Sequence, residues 1–222
     1  MQSEVLEHKG VHDRSSFEMD FGGPLDHDAD MEGDPDMIGH YQERNPTFIA
    51  RRLTGISLEI KTCRGCNRSK SGYGSFTVLS LAMARSVGEA VEDYSRASYM
   101  SGGDMVYCGP CFAKREHIAS TVINFWPRIL LVSFKRFRFT DTLEKLSDHV
   151  QFKQVEKFGG KNYELKAMIE HVGTPNAGHY KAYCQRIEPG KWFKMDDAAV
   201  VEMTFNQVKA QQAYVLAYER KE

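Results

Sequence analysis

From Asn45-Pro46 onward, apolar side chains recur at spacings that predict ordered structure. Phe48, Ile49, Leu53, Ile56, Leu58 and Ile60 supply the first anchors, and Ile56-Ser57-Leu58-Glu59-Ile60 alternates with the period of two of a half-buried strand. Thr77–Leu81 is a second apolar run. In Ser86–Tyr99 the residues Val87, Ala90, Val91 and Tyr94 fall at helical spacing, which predicts a helix there. Ser101-Gly102-Gly103-Asp104 reads as a turn. The second half reads as sheet: strands are predicted over Arg128–Phe137, Tyr163–Val172, Gly178–Ile187, Lys191–Met195 and Ala213–Glu219. Gly159-Gly160 and Glu188-Pro189-Gly190 supply the hairpin turns.

Charge changes the picture at the N-terminus. Residues 1–50 hold 12 acids and 3 bases, a net −9, whereas the other 172 residues hold 18 acids and 26 bases, a net +8. Within Asp26–Asp36 only Ala29 and Met31 are apolar, too little to offset chain entropy, so residues 1–45 are expected to be an acidic disordered segment. No run approaches the ~20 apolar residues of a membrane span. There is no basic n-region followed by an apolar h-region, so no secretory signal is expected. A reducing compartment, cytoplasmic or nuclear, follows as an expectation, in which the five cysteines serve as metal ligands or thiols. The basic residues of the second part are scattered, which argues against a nucleic-acid surface.

Cys63-Arg64-Gly65-Cys66 and Cys108-Gly109-Pro110-Cys111 form two C-x-x-C pairs. Each pair can present two thiolates from one tight turn, and two turns complete the tetrahedral sulfur set that zinc accepts. The second pair also matches a redox dithiol, but that reading leaves the first pair unexplained. Four thiolates leave no open coordination position, so the expected zinc is structural.

Gly178-His179-Tyr180 opens a predicted strand, and Trp192-Phe193-Lys194-Met195-Asp196-Asp197 follows a hairpin turn. A thiol nucleophile needs a base, and the base needs a third group to orient it. His179 can be the base and Asp196 the orienter, with Gly178 leaving room for a substrate backbone. A hairpin centred on Pro189-Gly190 places Asp196 opposite Tyr183, roughly 13 Å short of His179 at ~3.3 Å per residue. The fifth thiol, Cys184, falls on the opposite face of the same strand from His179, about 16 Å along it, and is expected in the core.

Taken in order, the two Cys pairs, Trp126–Phe137, Lys145-Leu146, Gly178-His179-Tyr180, Trp192–Asp197 and Ala213–Tyr218 resemble the C-terminal part of the catalytic domain of ubiquitin-specific proteases, the papain-like deubiquitinases. The resemblance implies an α+β fold: a papain-like palm with an antiparallel or mixed sheet, plus zinc-ribbon fingers, without the thumb. On that basis residues 46–222 are a partial catalytic domain, with fingers at about 56–122 and palm at about 123–222. The resemblance makes His179 the general base, Asp196 its orienter and Asp197 the second acidic position. It places Tyr180 beside the cleft for the ubiquitin tail, and makes Cys63, Cys66, Cys108 and Cys111 the zinc ligands. The implied activity is thiol-dependent hydrolysis at the C-terminus of ubiquitin, and the implied partners are ubiquitin and ubiquitinated proteins. The family's nucleophile sits N-terminal to all these motifs in an Asn-x-Cys box, and residues 1–50 contain no cysteine. The chain alone is therefore expected to be inactive, either as part of an enzyme or as a non-catalytic ubiquitin-binding module.

Overall fold

The computed structural model describes residues 39, 41, 44, 47–186 and 190–221. The acidic run Asp26–Asp36 lies outside the described residues. A short helix α1 (Phe48–Leu53) starts at Thr47, whose side chain accepts from the Ala50 amide, and ends at Thr54. The expected anchors Phe48 and Ile49 are exposed on it, so burial begins only where the helix ends, at Thr54.

Four strands make a finger sheet: β1 (Gly55–Cys63), β2 (Ser69–Phe76), β4 (Ser98–Met100) and β7 (His117–Phe125), in the order β2-β1-β7-β4. The predicted alternation over 56–60 lies in β1. β2 was not visible in the sequence, because SKSGYGSF has no apolar period. The predicted helix 86–99 is shorter than expected: α2 runs Val87–Ser95, and Tyr99 lies instead on strand β4. Ser86 caps α2 by accepting from the Glu89 amide, and Val87 and Ala90 are its buried face. Between these strands β3 (Val78–Leu81) leaves the fingers, so the span 56–122 is interrupted by a segment that belongs to the other sheet.

That other sheet has eight strands, running β15-β14-β13-β12-β16-β8-β3 with β11 paired to β12. Its members are β8 (Ile129–Phe134), β11 (Val155–Phe158), β12 (Lys161–Gly173), β13 (Gly178–Gln185), β14 (Trp192–Asp196), β15 (Ala199–Met203) and β16 (Ala213–Arg220). The pairing of β3 with β8 is parallel and the others are antiparallel, which makes the sheet mixed, as the resemblance implied. Leu130, Val132 and Phe134 alternate into the core of this sheet, against Leu165, Met168 and Leu216. The Gly159-Gly160 turn joins β11 to β12 with both φ angles positive, the conformation of a two-residue turn matched to strand twist.

The run predicted as one strand over Arg128–Phe137 is divided at Lys135-Arg136 into β8 and β9 (Phe137–Phe139). Arg136 is the cause. Its side chain is 1% exposed and donates to the carbonyls of Ala213, Leu146 and Asp148. A buried guanidinium needs those acceptors, and reaching them bends the chain out of the sheet. β9 then pairs with β10 (Leu143–Lys145) in a small hairpin beside the end of β12.

Candidate metal centre and His–Asp pair

The fingertip has almost no apolar core. Its buried side chains are Cys63, Cys108 and His117. Cys63 ends β1, Cys108 ends β5 (Val106–Cys108), and β5 pairs with β6 (Ala113–Arg115). Each C-x-x-C turn is closed by a residue in the left-handed region, Asn67 at φ 59° and Phe112 at φ 49°. The amides of Asn67 and Phe112 bond back to the carbonyls of Cys63 and Gly109. Arg64 fastens the first turn to Glu116, the residue between β6 and β7 (His117–Phe125), at 2.9 Å.

The four thiols of Cys63, Cys66, Cys108 and Cys111 lie within 4.8 Å of one another. Cys63–Cys111 is 3.9 Å and Cys66–Cys108 is 3.6 Å. A tetrahedral site with metal–sulfur bonds of about 2.3 Å has sulfur–sulfur edges near 3.8 Å, so the donor set fits a metal ion. Burial opposes ionisation of Cys63, but the Cys66 and Gly65 amides and the neighbouring thiols lower its pKa to about 6. Burial, together with the neighbouring thiols, pushes Cys108 up, and a bond with Cys66 does most to push Cys111 up.

At the other functional locus, β13 and β14 pair with Ala182 opposite Met195 and Gln185 opposite Trp192. Arg186 N bonds to Lys191 O, so the hairpin is centred one residue earlier than the sequence suggested. Asp196 therefore falls opposite Lys181, two residues from His179 on the same face. This register closes the expected 13 Å gap without a bulge. His179 Nε2 donates to Asp196 Oδ1 at 2.7 Å. The other carboxylate oxygen faces Lys181 Nζ at 3.4 Å and Lys194 Nζ at 3.5 Å.

The His179 bond does most to hold the Asp196 carboxyl below its ordinary range, and the two lysines add to it against partial burial. A depressed folded pKa stabilises the protein above the unfolded carboxylate pKa of about 3.9. That stabilisation is lost as pH falls through the lower folded value. Asp196→Asn is expected to make the acid side of a stability–pH curve shallower, measured by urea melts from pH 6 downward. A limb as steep as the wild type's would show that this carboxylate is not held by His179.

Asp197 is exposed in the turn between β14 and β15 at φ 51°, a conformation that aspartate tolerates; it is not among the partners of His179. Tyr180 is 54% exposed and lies on the face opposite His179, its ring 4.9 Å from that of His171. A Cβ on Gly178 would overlap the His171 imidazole, so the glycine is required inside the sheet as well as suiting a close approach from outside. Cys184 is half-buried and not part of the core as expected, because it lies on the outward face opposite Phe193 and Ala167. Burial pushes its thiol up, away from the nucleophilic thiolate.

Sequence reasoning missed Lys181 and Lys194 as neighbours of Asp196. The alternation that places them on the same face was legible, but the register was not.

Solved structures with this architecture identify the class. The SAGA Ubp8/Sgf11/Sus1/Sgf73 DUB module bound to ubiquitin aldehyde contains a chain that superimposes with a TM-score of 0.70 at 26% identity. The match covers 79% of this chain and 43% of that one. The mostly-sheet fold is thus one shared with a chain of that DUB module. The chain belongs to the ubiquitin carboxyl-terminal hydrolase family, whose model matches residues 16–218. Ubiquitin carboxyl-terminal hydrolase 2 of Rattus norvegicus is 28% identical over 211 residues, covering 88% of this chain and 34% of its own length. Ubiquitin carboxyl-terminal hydrolase 8 of Saccharomyces cerevisiae is 29% identical over 179 residues, covering 70% of this chain and 38% of its own. The chain spans about a third of the length of these curated relatives.

Proposed function

We propose that this chain supplies the base-bearing part of a cysteine-type deubiquitinase and binds ubiquitin between its fingers and the His179 strand. The hydrogen bond between His179 Nε2 and Asp196 Oδ1 carries the reading. It commits Nε2 to the carboxylate and leaves Nδ1 as the nitrogen able to take a proton from a thiol. Asp196 fixes the tautomer and stabilises the imidazolium that then forms. Asp197, at the second acidic position, and Gly178 and Tyr180, beside the path of the ubiquitin tail, complete the proposed site. Zinc on Cys63, Cys66, Cys108 and Cys111 would hold the fingertip without taking part in the reaction. A reducing compartment, cytoplasm or nucleus, keeps those thiols available to the metal.

Titrating unlabelled ubiquitin into the isotopically labelled chain tests the reading. Amide shifts are expected at Gly178–Tyr180 and along β1 and β7. Titration to millimolar ubiquitin with no shift at either place would reject it. A second reading, a ubiquitin-binding module that never hydrolyses, is favoured by one observation: the spare thiol, Cys184, lies on the face opposite His179. The outcome with a reactive probe, argued below, separates the two.

A further inference from the structure

The imidazole of His171 lies directly beneath the backbone that carries His179. His171 pairs with Tyr180 across β12 and β13, and its ring rests against Gly178 so closely that any Cβ there would overlap it. Phe137 meets the same ring edge-on at 5.4 Å. Tyr180 covers it at 4.9 Å. His171 is only 7% exposed, and its Nδ1 has no hydrogen-bond partner among the described residues. An unpaired buried nitrogen costs stability, so folding alone would favour a hydrocarbon at this position.

Lys145, the cross-strand partner of Phe137, holds the same strand by its backbone. Its ammonium donates to the carbonyl of His171 at 2.6 Å and to that of Gly173 at 3.2 Å. These carbonyls bracket Val172, the cross-strand partner of His179. The turn beyond is closed by Thr174, whose amide and hydroxyl both donate to Ala177 O.

We infer that His171 and Lys145 are positioning residues for His179: the imidazole wedges the Gly178 backbone and the ammonium clamps β12, so that the base meets Asp196. This rests on reading His179 as the base. Burial, and then the Lys145 charge, keep His171 below the ordinary imidazole range, which disfavours its charged form, and the packed ring acts by its shape. A side chain at 179 that is 43% exposed has little packing of its own to fix its rotamer. The Asp196 bond orients the ring, and the backbone sets whether the two side chains meet.

The test observes the His179 Nε2–H proton directly, by NMR of the labelled chain without ubiquitin. In the wild type this proton is expected to exchange slowly and to resonate downfield, as a bond of 2.7 Å to a carboxylate requires. His171→Ala and Lys145→Met are each expected to abolish that resonance through exchange with water. Lys145→Arg, which keeps the donors, is expected to retain it. Leu79→Ala, in the core of β3, provides the control: it lowers the melting temperature but keeps the resonance. If His171→Ala does not fold, Lys145→Met decides alone, because its side chain lies at the rim. A wild-type resonance in the folded His171→Ala and Lys145→Met variants would overturn the inference. So would its loss in Leu79→Ala, since any destabilisation would then suffice. Neither result depends on whether the chain binds ubiquitin, so this failure and that of the functional reading are separable.

Discussion

A ubiquitin probe with an electrophilic C-terminus is expected to leave this chain unlabelled. The His179–Asp196 pair is in place, but with His179 as the proposed base the reaction needs a thiolate within hydrogen-bond reach of its Nδ1. Four of the five thiols belong to the fingertip cluster. The fifth, Cys184, is five residues along β13 and on its opposite face, roughly 16 Å away at ~3.3 Å per residue, and its burial suppresses the thiolate. Removing the nucleophile from such a triad costs on the order of a million-fold in rate. Intact mass spectrometry after prolonged incubation would read the result. A covalent adduct that forms with the wild type and disappears with His179→Ala would reverse the conclusion, whichever cysteine carried it. A longer chain that supplies a cysteine opposite His179 is expected to react. Continued silence from such a chain would favour the non-hydrolytic module.

Chelating the proposed zinc is expected to unfold the fingers and spare the eight-stranded sheet. Structural zinc contributes apparent binding free energies of about 10–16 kcal/mol in small zinc modules, and that energy is folding energy. Here the fingertip has little else, since its buried side chains are two of the cysteines and His117. The palm has its own core, with Leu130, Val132, Leu165 and Leu216 fully buried, and does not depend on the thiols. Chelation should therefore abolish amide protection in β1, β2, β4 and β7 while β8, β12 and β16 stay protected. Cys63→Ser should do the same without a chelator. Because the ligands must lose protons, chelation should become easier as pH falls. Unchanged protection in the finger strands after complete chelation would mean that the four cysteines hold no structural metal.

Particular residues show how much of this was legible. The two C-x-x-C pairs could be read at once, because each turn is local and cysteine is rare. The palm strands could be read where one face is buried: Leu130, Val132 and Phe134 alternate in the chain as they do in the core. β2, β4, β7 and β15 were missed. β2, β4 and β15 are edge strands with little burial, and β7, though central in the finger sheet, is mostly half-buried, with only His117 and Ile123 buried, so no apolar period marks them. Arg136 was read as part of a continuous strand, and only its three carbonyl partners, 10 to 77 residues away, explain the break.

The site divides in the same way. The chain's own pattern determined that His179, Lys181 and Tyr183 share a face, and that Asp196 lies on a strand that returns to it. Those are consequences of a period of two, fixed by covalent geometry. Whether the imidazole reaches the carboxylate depended on the hairpin register, since a shift of two residues separates a 2.7 Å bond from a gap of roughly 13 Å. Register is set by how two strands, their loop and the sheet beneath them pack together. That packing, including the His171 ring against Gly178, exists only in the folded sheet, so only the tertiary structure could decide it.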